Sequence, residues 1–197
     1  MIGKITLLWM AALPLMGSPG PATMSVAATG AAYGSARGLR YMLGVSTGTC
    51  GVLVLIATGV TGVVLAMPGA VAVITVLGTA YILYLAYKIA TAPVISDEAE
   101  TKNAPSYASG FMLAIANPKA YAAIGAIFSS KILLPDDVIM DAVVKVLALL
   151  IVVIGVNSAW LLFGSAFSLI LKNPRYGRIA NITFAALLVG SVVLVFI

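Results

Sequence analysis

Two short proline-containing segments carry the residue types that could bind a small charged solute. The first is Gly17-Ser18-Pro19-Gly20-Pro21-Ala22 and the second is Asn117-Pro118-Lys119, and both interrupt long apolar runs. Proline removes a backbone donor and clashes with the carbonyl four residues earlier, so each segment predicts a kinked or unwound helix. The half-helix that begins after such a break presents backbone N–H groups, which attract anions such as a carboxylate.

Asn117 and Lys119 add specific chemistry to the second break. The Asn117 side chain is placed to accept an N–H bond from the half-helix that begins at Pro118. The Lys119 charge costs about 2.5–3.5 kcal/mol at the centre of a membrane helix, so it needs a partner. A ligand carboxylate, a backbone carbonyl or the water at a membrane interface would each serve. We therefore predict a substrate site that includes Gly20, Pro21, Asn117, Pro118 and Lys119.

The composition indicates that lipid is the solvent around these breaks. The chain has 197 residues, of which 62% are hydrophobic and 9% charged, and its mean hydropathy is +1.14. Soluble domains carry about 25% charged residues. The net charge of +5 lies in short gaps between apolar runs, which is typical of a membrane surface and not of nucleic-acid binding. With no histidine and a single cysteine, Cys50, we expect neither a metal, a cofactor nor an intramolecular disulfide.

Six apolar runs of about 20 residues predict an all-α integral membrane protein with six transmembrane helices. They cover residues 5–29, 41–66, 70–90, 107–130, 142–171 and 179–197. The charged linker 91–106 separates a first three-helix repeat, 1–90, from a second, 107–197. Because three is odd, the second repeat enters the membrane from the opposite side, which gives an inverted repeat. Each break lies about 15–24 Å into the first span of its repeat, near the bilayer middle.

The basic residues predict how the chain is oriented. The gaps after spans one, three and five share one side and contain Arg37, Arg40, Lys88, Lys102, Lys172, Arg175 and Arg178. The opposite side has Lys4, Lys131 and, near the start of span five, Lys145. The positive-inside rule therefore places both termini outside. A cleaved signal peptide is the alternative interpretation of the first run, but that run continues to Thr29 without a convincing cleavage site.

Over almost its whole length the chain resembles the LysE/RhtB-type amino-acid translocators of the lysine-exporter superfamily. The similarity runs through Gly-Pro-Ala at 20–22, the segments 33–40, 43–48 and 77–88, Gly110-Phe111, Asn117-Pro118-Lys119-Ala120 and the last helix from Asn181 to Gly190. The resemblance implies a six-helix exporter of amino acids or close derivatives that is driven by the proton motive force. It also implies a multi-pass protein of a prokaryotic cytoplasmic (inner) membrane.

Two positions depart from the pattern of that family and leave the recognition of a substrate amine open. Where the family commonly has an acidic residue after the glycine matched by Gly48, this chain has Thr49, and near a second such position it has Asn157. No carboxylate falls clearly inside a predicted span. Either Asp141 lies deeper than the span boundaries suggest, or carbonyls and Asn157 hold the amine, or the substrate is not a standard amino acid. Asn157 accordingly joins the predicted site.

Other functional classes compete with a transporter. A non-transport assembly or scaffold subunit is the main alternative, although the short loops leave little surface for soluble partners. A membrane enzyme is disfavoured, because the chain has no histidine and no paired carboxylates within a span. A homo-oligomer is compatible with each of these interpretations.

Overall fold

The computed structural model describes residues 2–59, 69–91, 104–130, 132–167 and 174–193, which form helices and no strands. In chain order these helices are α1 (Ile2–Gly17), α2 (Pro21–Ala57), α3 (Ala70–Ala90), α4 (Tyr107–Ile115), α5 (Pro118–Ser130), α6 (Val138–Phe167) and α7 (Pro174–Val193).

Both predicted helix breaks are present. α1 ends at Gly17, and α2 begins at Pro21 after three bent residues. α4 ends at Ile115, α5 begins at Pro118, and the two helices are bent by 58° relative to each other. In both cases proline is the first residue of the new helix, where its missing N–H has no helical partner to lose. The proline chemistry of the sequence therefore locates the breaks correctly.

The gap between the first two predicted spans is a kink inside α2 and not a loop. Gly34 has φ 76° and ψ 167°, a conformation in the left-handed range of φ that other residues rarely adopt. The Ser35 N–H just after it donates to the Ser165 hydroxyl of α6 at 3.1 Å, so the backbone donor freed by the kink is satisfied. Arg37 and Arg40 consequently lie on a helix that continues to Ala57.

The described residues contain two helices long and apolar enough to span a bilayer, Pro21–Ala57 and Val138–Ala166. The bent pair α4 and α5 makes a third if it counts as one span. The six-span count, the inverted repeat and the outside position of the termini therefore stay predictions. Met67 and Pro68, which separate the second and third predicted spans, and the linker residues 92–103 lie outside the described residues, as do Lys131 and Lys172.

Glycines bring α2 very close to α6 and α4. A Cβ atom on Gly164 would overlap the Ala27 backbone of α2, and one on Gly44 would overlap the Tyr107 backbone of α4. Small residues at such positions let membrane helices approach closely. Gly164 and Gly44 therefore act as packing glycines between α2 and its two neighbours.

The exterior of the bundle is apolar to a degree that water would not tolerate. Exposed fractions reach 66% for Met10 and Val76 and 61% for Ile151. Contiguous apolar surface of this kind marks contact with lipid or a partner. Together with the long apolar helices it identifies the chain as a membrane protein.

Candidate functional site

The two helix breaks lie against each other, joined by the Lys119 side chain. Its ammonium group donates hydrogen bonds to the Ser18 carbonyl at 2.6 Å, the Ser18 hydroxyl at 2.8 Å and the Pro19 carbonyl at 3.1 Å. An ammonium group has three donors, so all of them are used. The acceptors follow the C-terminal end of α1, where the helix dipole favours a cation. Of the partners that the sequence left open, the structure shows backbone carbonyls, together with the Ser18 hydroxyl; a ligand carboxylate stays a prediction.

Gly20 permits this approach because it has no side chain. A Cβ atom at Gly20 would lie 2.6 Å from Lys119 Cδ and 2.9 Å from its Nζ, closer than real Cβ contacts. A second donor reaches the same end of α1 from α6, since Trp160 Nε1 donates to the Gly17 carbonyl at 3.0 Å. Side chains of α5 and α6 thus hold the carbonyls that the first break releases.

Asn117 caps α5, which confirms the expectation from its place before Pro118. Its Oδ1 accepts a bond from the Lys119 backbone N–H at 3.2 Å, and its carbonyl accepts one from the Ala120 N–H at 3.0 Å. The expectation that α5 presents free N–H groups is therefore wrong for these two groups, because Asn117 occupies both. Asn117 is only 4% exposed, and its Nδ2 has no acceptor among the described residues.

The N terminus of α2 keeps free donors. The Gly20 N–H donates to the Thr23 hydroxyl at 3.0 Å, and the Met24 N–H donates to the Gly20 carbonyl at 2.9 Å. Within the described part of the chain, the N–H groups of Ala22 and Thr23 have no acceptor. Unpaired amides of a first helical turn, at the positive end of the helix dipole, are a natural anion site.

A cavity of about 50 Å³, large enough to hold water, joins these groups. The cavity is lined by the polar side chains of Thr23, Thr49, Asn117, Lys119 and Asn157, and Gly20 and Ala22 are also in its wall. The sequence predicted Gly20, Asn117, Lys119 and Asn157 for the site, and the structure brings these four together. Pro21 and Pro118 do not line the cavity; each begins the helix that places its neighbours there.

Sequence reasoning missed Thr23 and Thr49 as lining residues. Thr23 follows Gly20 by three residues, which is the spacing of a helix capping box and could have indicated its position. Thr49 was noted only because it lacks a charge. Its hydroxyl donates to the Val45 carbonyl at 2.9 Å, and no periodicity distinguishes this face of α2 from the faces packed on other helices.

Asn157 brings α6 into the cavity wall. Its Nδ2 donates to the Ser46 hydroxyl at 3.0 Å and so ties α6 to α2. The residue is 4% exposed, and among the described residues no donor reaches its Oδ1. In the same part of the chain, no acidic side chain lines the cavity.

Asp141 is buried, but it lies outside the cavity. Its Oδ1 accepts N–H bonds from Leu133 at 2.6 Å and Leu134 at 2.8 Å, and its Oδ2 is 2.7 Å from the Lys145 ammonium. Lys145 also donates to the Phe128 carbonyl at 3.1 Å. This pair fixes the connection between α5 and α6. The Asp141 carboxylate therefore does not line the described cavity, and the depth of Asp141 in the membrane stays a prediction.

Comparison with known proteins decides the family of the chain. Residues 13–197 match the family described as LysE type translocator. The chain belongs to this translocator family. Proteins named cysteine/O-acetylserine efflux protein are 33% identical to it in Escherichia coli O1:K1 / APEC, and 32% identical in Escherichia coli strain K12 and Shigella flexneri serotype 5b. Each match spans 190 residues and 95% of both chains. No solved structure matches the chain.

The family match also tests the resemblance that the sequence predicted. The resemblance seen at the two breaks and in the glycine-rich helices is thereby confirmed over most of the chain. A translocator moves its cargo without changing it, so the family points away from an enzyme.

Proposed function

We propose that this translocator is a secondary transporter that exports small amino acids or close derivatives from the cytoplasm, driven by the proton motive force. In this proposal it lies in a prokaryotic cytoplasmic membrane and crosses it six times, as two inverted halves with both termini outside. The observation that carries the proposal is the cavity where the break of one half meets the break of the other. The names of the relatives, which specify cysteine and O-acetylserine efflux, support a small cargo.

The substrate carboxylate binds at the N terminus of α2. The free N–H groups of Ala22 and Thr23 and the amide of Asn117 donate to its oxygens, and Lys119 supplies the opposite charge. Hydrogen bonds to a charged group are worth about 1.5–3 kcal/mol each, which offsets the removal of a carboxylate from water. All these groups belong to the cavity wall, so no large rearrangement is needed to assemble them.

Alternating access comes from rocking of the two halves about this site. At the cavity, polar contacts join the two halves: Lys119 of α5 donates to the carbonyls after α1, and Asn157 of α6 donates to Ser46 of α2. A neutral hydrogen bond contributes about 0.5–1.5 kcal/mol net, so exchanging the second contact on opening costs little.

Export is tested in cells that overexpress the protein, with Lys119→Met at equal abundance as the inactive control. We expect higher tolerance to inhibitory concentrations of cysteine and O-acetylserine, a smaller internal pool of the exported solute and a larger external one. A protonophore should stop the efflux. Unchanged pools across a broad amino-acid panel would contradict the amino-acid version of the proposal.

Access of water to the cavity separates a carrier from a sealed scaffold subunit. In a Cys50→Ala background, a cysteine at Ala123, which lines the cavity, should react with a charged, membrane-impermeant thiol reagent. Substrate should slow that reaction. A cysteine at Ile151, on the exposed apolar surface, is the matched position that should stay unreactive. No reaction at position 123 from either side of the membrane would favour the scaffold.

A further inference from the structure

We infer that the cavity recognises the carboxylate of its cargo by charge and the amine only by neutral acceptors, so that the carboxylate is obligatory and the ammonium group dispensable. The inference rests on the proposed function and deepens it. The substrate class that follows is short monocarboxylates, with or without an amino group.

The charges around the cavity have one sign. Lys119 is the charged residue of the described wall, and the N terminus of α2 adds the partial positive charge of a helix end. The two acceptors that Lys119 reaches on the backbone are dipoles and do not cancel its charge. Asp141 is buried outside the cavity and is already paired with Lys145. The cavity therefore has an excess positive potential that an anion neutralises.

The opposite wall has acceptors without charge. Asn157 Oδ1 receives no donor from the described residues, and the Thr49 hydroxyl, which donates to Val45, keeps its lone pairs. Both residues line the cavity, and Asn157 is buried. These oxygens hold an ammonium, a hydroxyl or water by ordinary hydrogen bonds. None of them gives an ammonium the ion pair that would make it necessary, and Lys119 repels it.

Lys119 can accept a carboxylate although its donors are occupied. One of its three acceptors is the hydroxyl of Ser18, a side chain that can rotate away and that already donates to the Leu15 carbonyl at 3.0 Å. A hydrogen bond between two charged groups is about twice as strong as one to a neutral oxygen. Exchange of the hydroxyl for a carboxylate oxygen is therefore favourable and leaves both carbonyl bonds of Lys119 in place.

The test compares cysteine with two analogues that each lack one of its charged groups. The analogue 3-mercaptopropanoate keeps the carboxylate and loses the amine, and cysteamine keeps the amine and loses the carboxylate. Binding is read from the ligand-dependent rise in the thermal unfolding temperature of the purified protein under reducing conditions. Transport is read separately in proteoliposomes loaded with labelled cysteine.

We expect the Kd of 3-mercaptopropanoate to lie within about threefold of that of cysteine. The Kd of cysteamine should be at least about thirtyfold higher, because cysteamine lacks the charge-assisted contact of the carboxylate. Cysteamine that binds as tightly as cysteine would overturn the inference, and so would 3-mercaptopropanoate or cysteine that does not bind. Binding in the expected order without any transport would uphold the inference and reject the exporter. Transport with an absolute requirement for the amine would uphold the exporter and reject the inference.

A variant arm checks the physical cause. Asn157→Asp places a carboxylate on the neutral wall, and it should strengthen cysteamine binding and weaken 3-mercaptopropanoate binding by about tenfold each. Asn157→Ala removes the same bond to Ser46 without adding charge and is the matched control. Equal behaviour of the two variants would show that charge does not set the preference, and the inference would fail.

Discussion

Replacement of Lys119 by methionine removes the charge that joins the two helix breaks. Methionine has nearly the same length and volume, so packing against Gly20 is largely kept. What disappears is the ammonium group and its bonds to the two Ser18 oxygens and the Pro19 carbonyl. The variant therefore isolates the electrostatic role of Lys119 from its role in filling space.

The structure sets the size of the expected effect. Three hydrogen bonds to a charged group are worth about 4.5–9 kcal/mol in total. Removing the cation also removes the cost of about 2.5–3.5 kcal/mol for holding it within the membrane. The net loss of folding free energy is about 1–6.5 kcal/mol from these two terms. For a bound carboxylate roughly 4–6 Å away, the lost attraction is about 3–4 kcal/mol at an effective dielectric constant of about 20.

Substrate affinity should therefore fall by at least about 30-fold, after the α2 amides make up part of the loss. The assay is uptake into proteoliposomes over a range of substrate concentrations, together with thermal unfolding of the same preparations. Lys4→Met is the control, because it also removes a lysine bond to a carbonyl, that of Leu133 at 2.7 Å, but outside the cavity. Its KM should change less than about twofold. A Lys119→Met protein that transports with an unchanged KM would refute the electrostatic role.

Three further changes test the packing and the structural pairs. Gly164→Ala should lower stability by about 1–3 kcal/mol or prevent folding, because the new methyl group overlaps the α2 backbone, whereas Gly155→Ala, with no atom within 4 Å, should be neutral in thermal unfolding. Asp141→Asn should cost about 3–5 kcal/mol of stability by leaving Lys145 buried and unpaired, yet leave the substrate KM unchanged, since the pair lies outside the cavity. Trp160→Phe removes the donor to the last carbonyl of α1. It should lower the free energy of unfolding and the free energy of substrate binding by about 1–2 kcal/mol each. An effect on neither would show that this carbonyl needs no protein partner.

Local chemistry explains which features could be predicted from the sequence. Proline acts on the backbone within four residues, so the breaks before Pro21 and Pro118 follow from the chain alone. Asn117 caps the helix that begins at the next residue, which is again local. The kink at Gly34 had no such signal, because a glycine in a helical pattern adopts a left-handed φ only when tertiary packing requires it.

The partners of the charged residues depend on approaches between helices, which the sequence does not encode locally. Lys119 reaches the carbonyls after α1 because Gly20 leaves room, and those residues are about a hundred positions apart. The same holds for Asn157, whose bond to Ser46 depends on how closely α2 and α6 pack. The position of Asp141 depends on the loop before α6, whose N–H groups donate hydrogen bonds to its carboxylate. Predicting residue types for the site was therefore easier than predicting what each residue contacts.

A comparison of the half-buried Lys119 with the buried Lys145 shows why the proposed site includes the first and not the second. Lys145 lies 2.7 Å from the Asp141 carboxylate, so the pair is neutral and has no tendency to attract an ion. Among the described residues, the partners of Lys119 are a hydroxyl and two carbonyl dipoles, which stabilise its charge without cancelling it. Its positive potential therefore extends into the cavity, and the free amides of α2 add to that potential. A charge that is hydrogen-bonded but not neutralised retains its attraction for a counter-ion, and in the proposed function that counter-ion is the carboxylate of the transported solute.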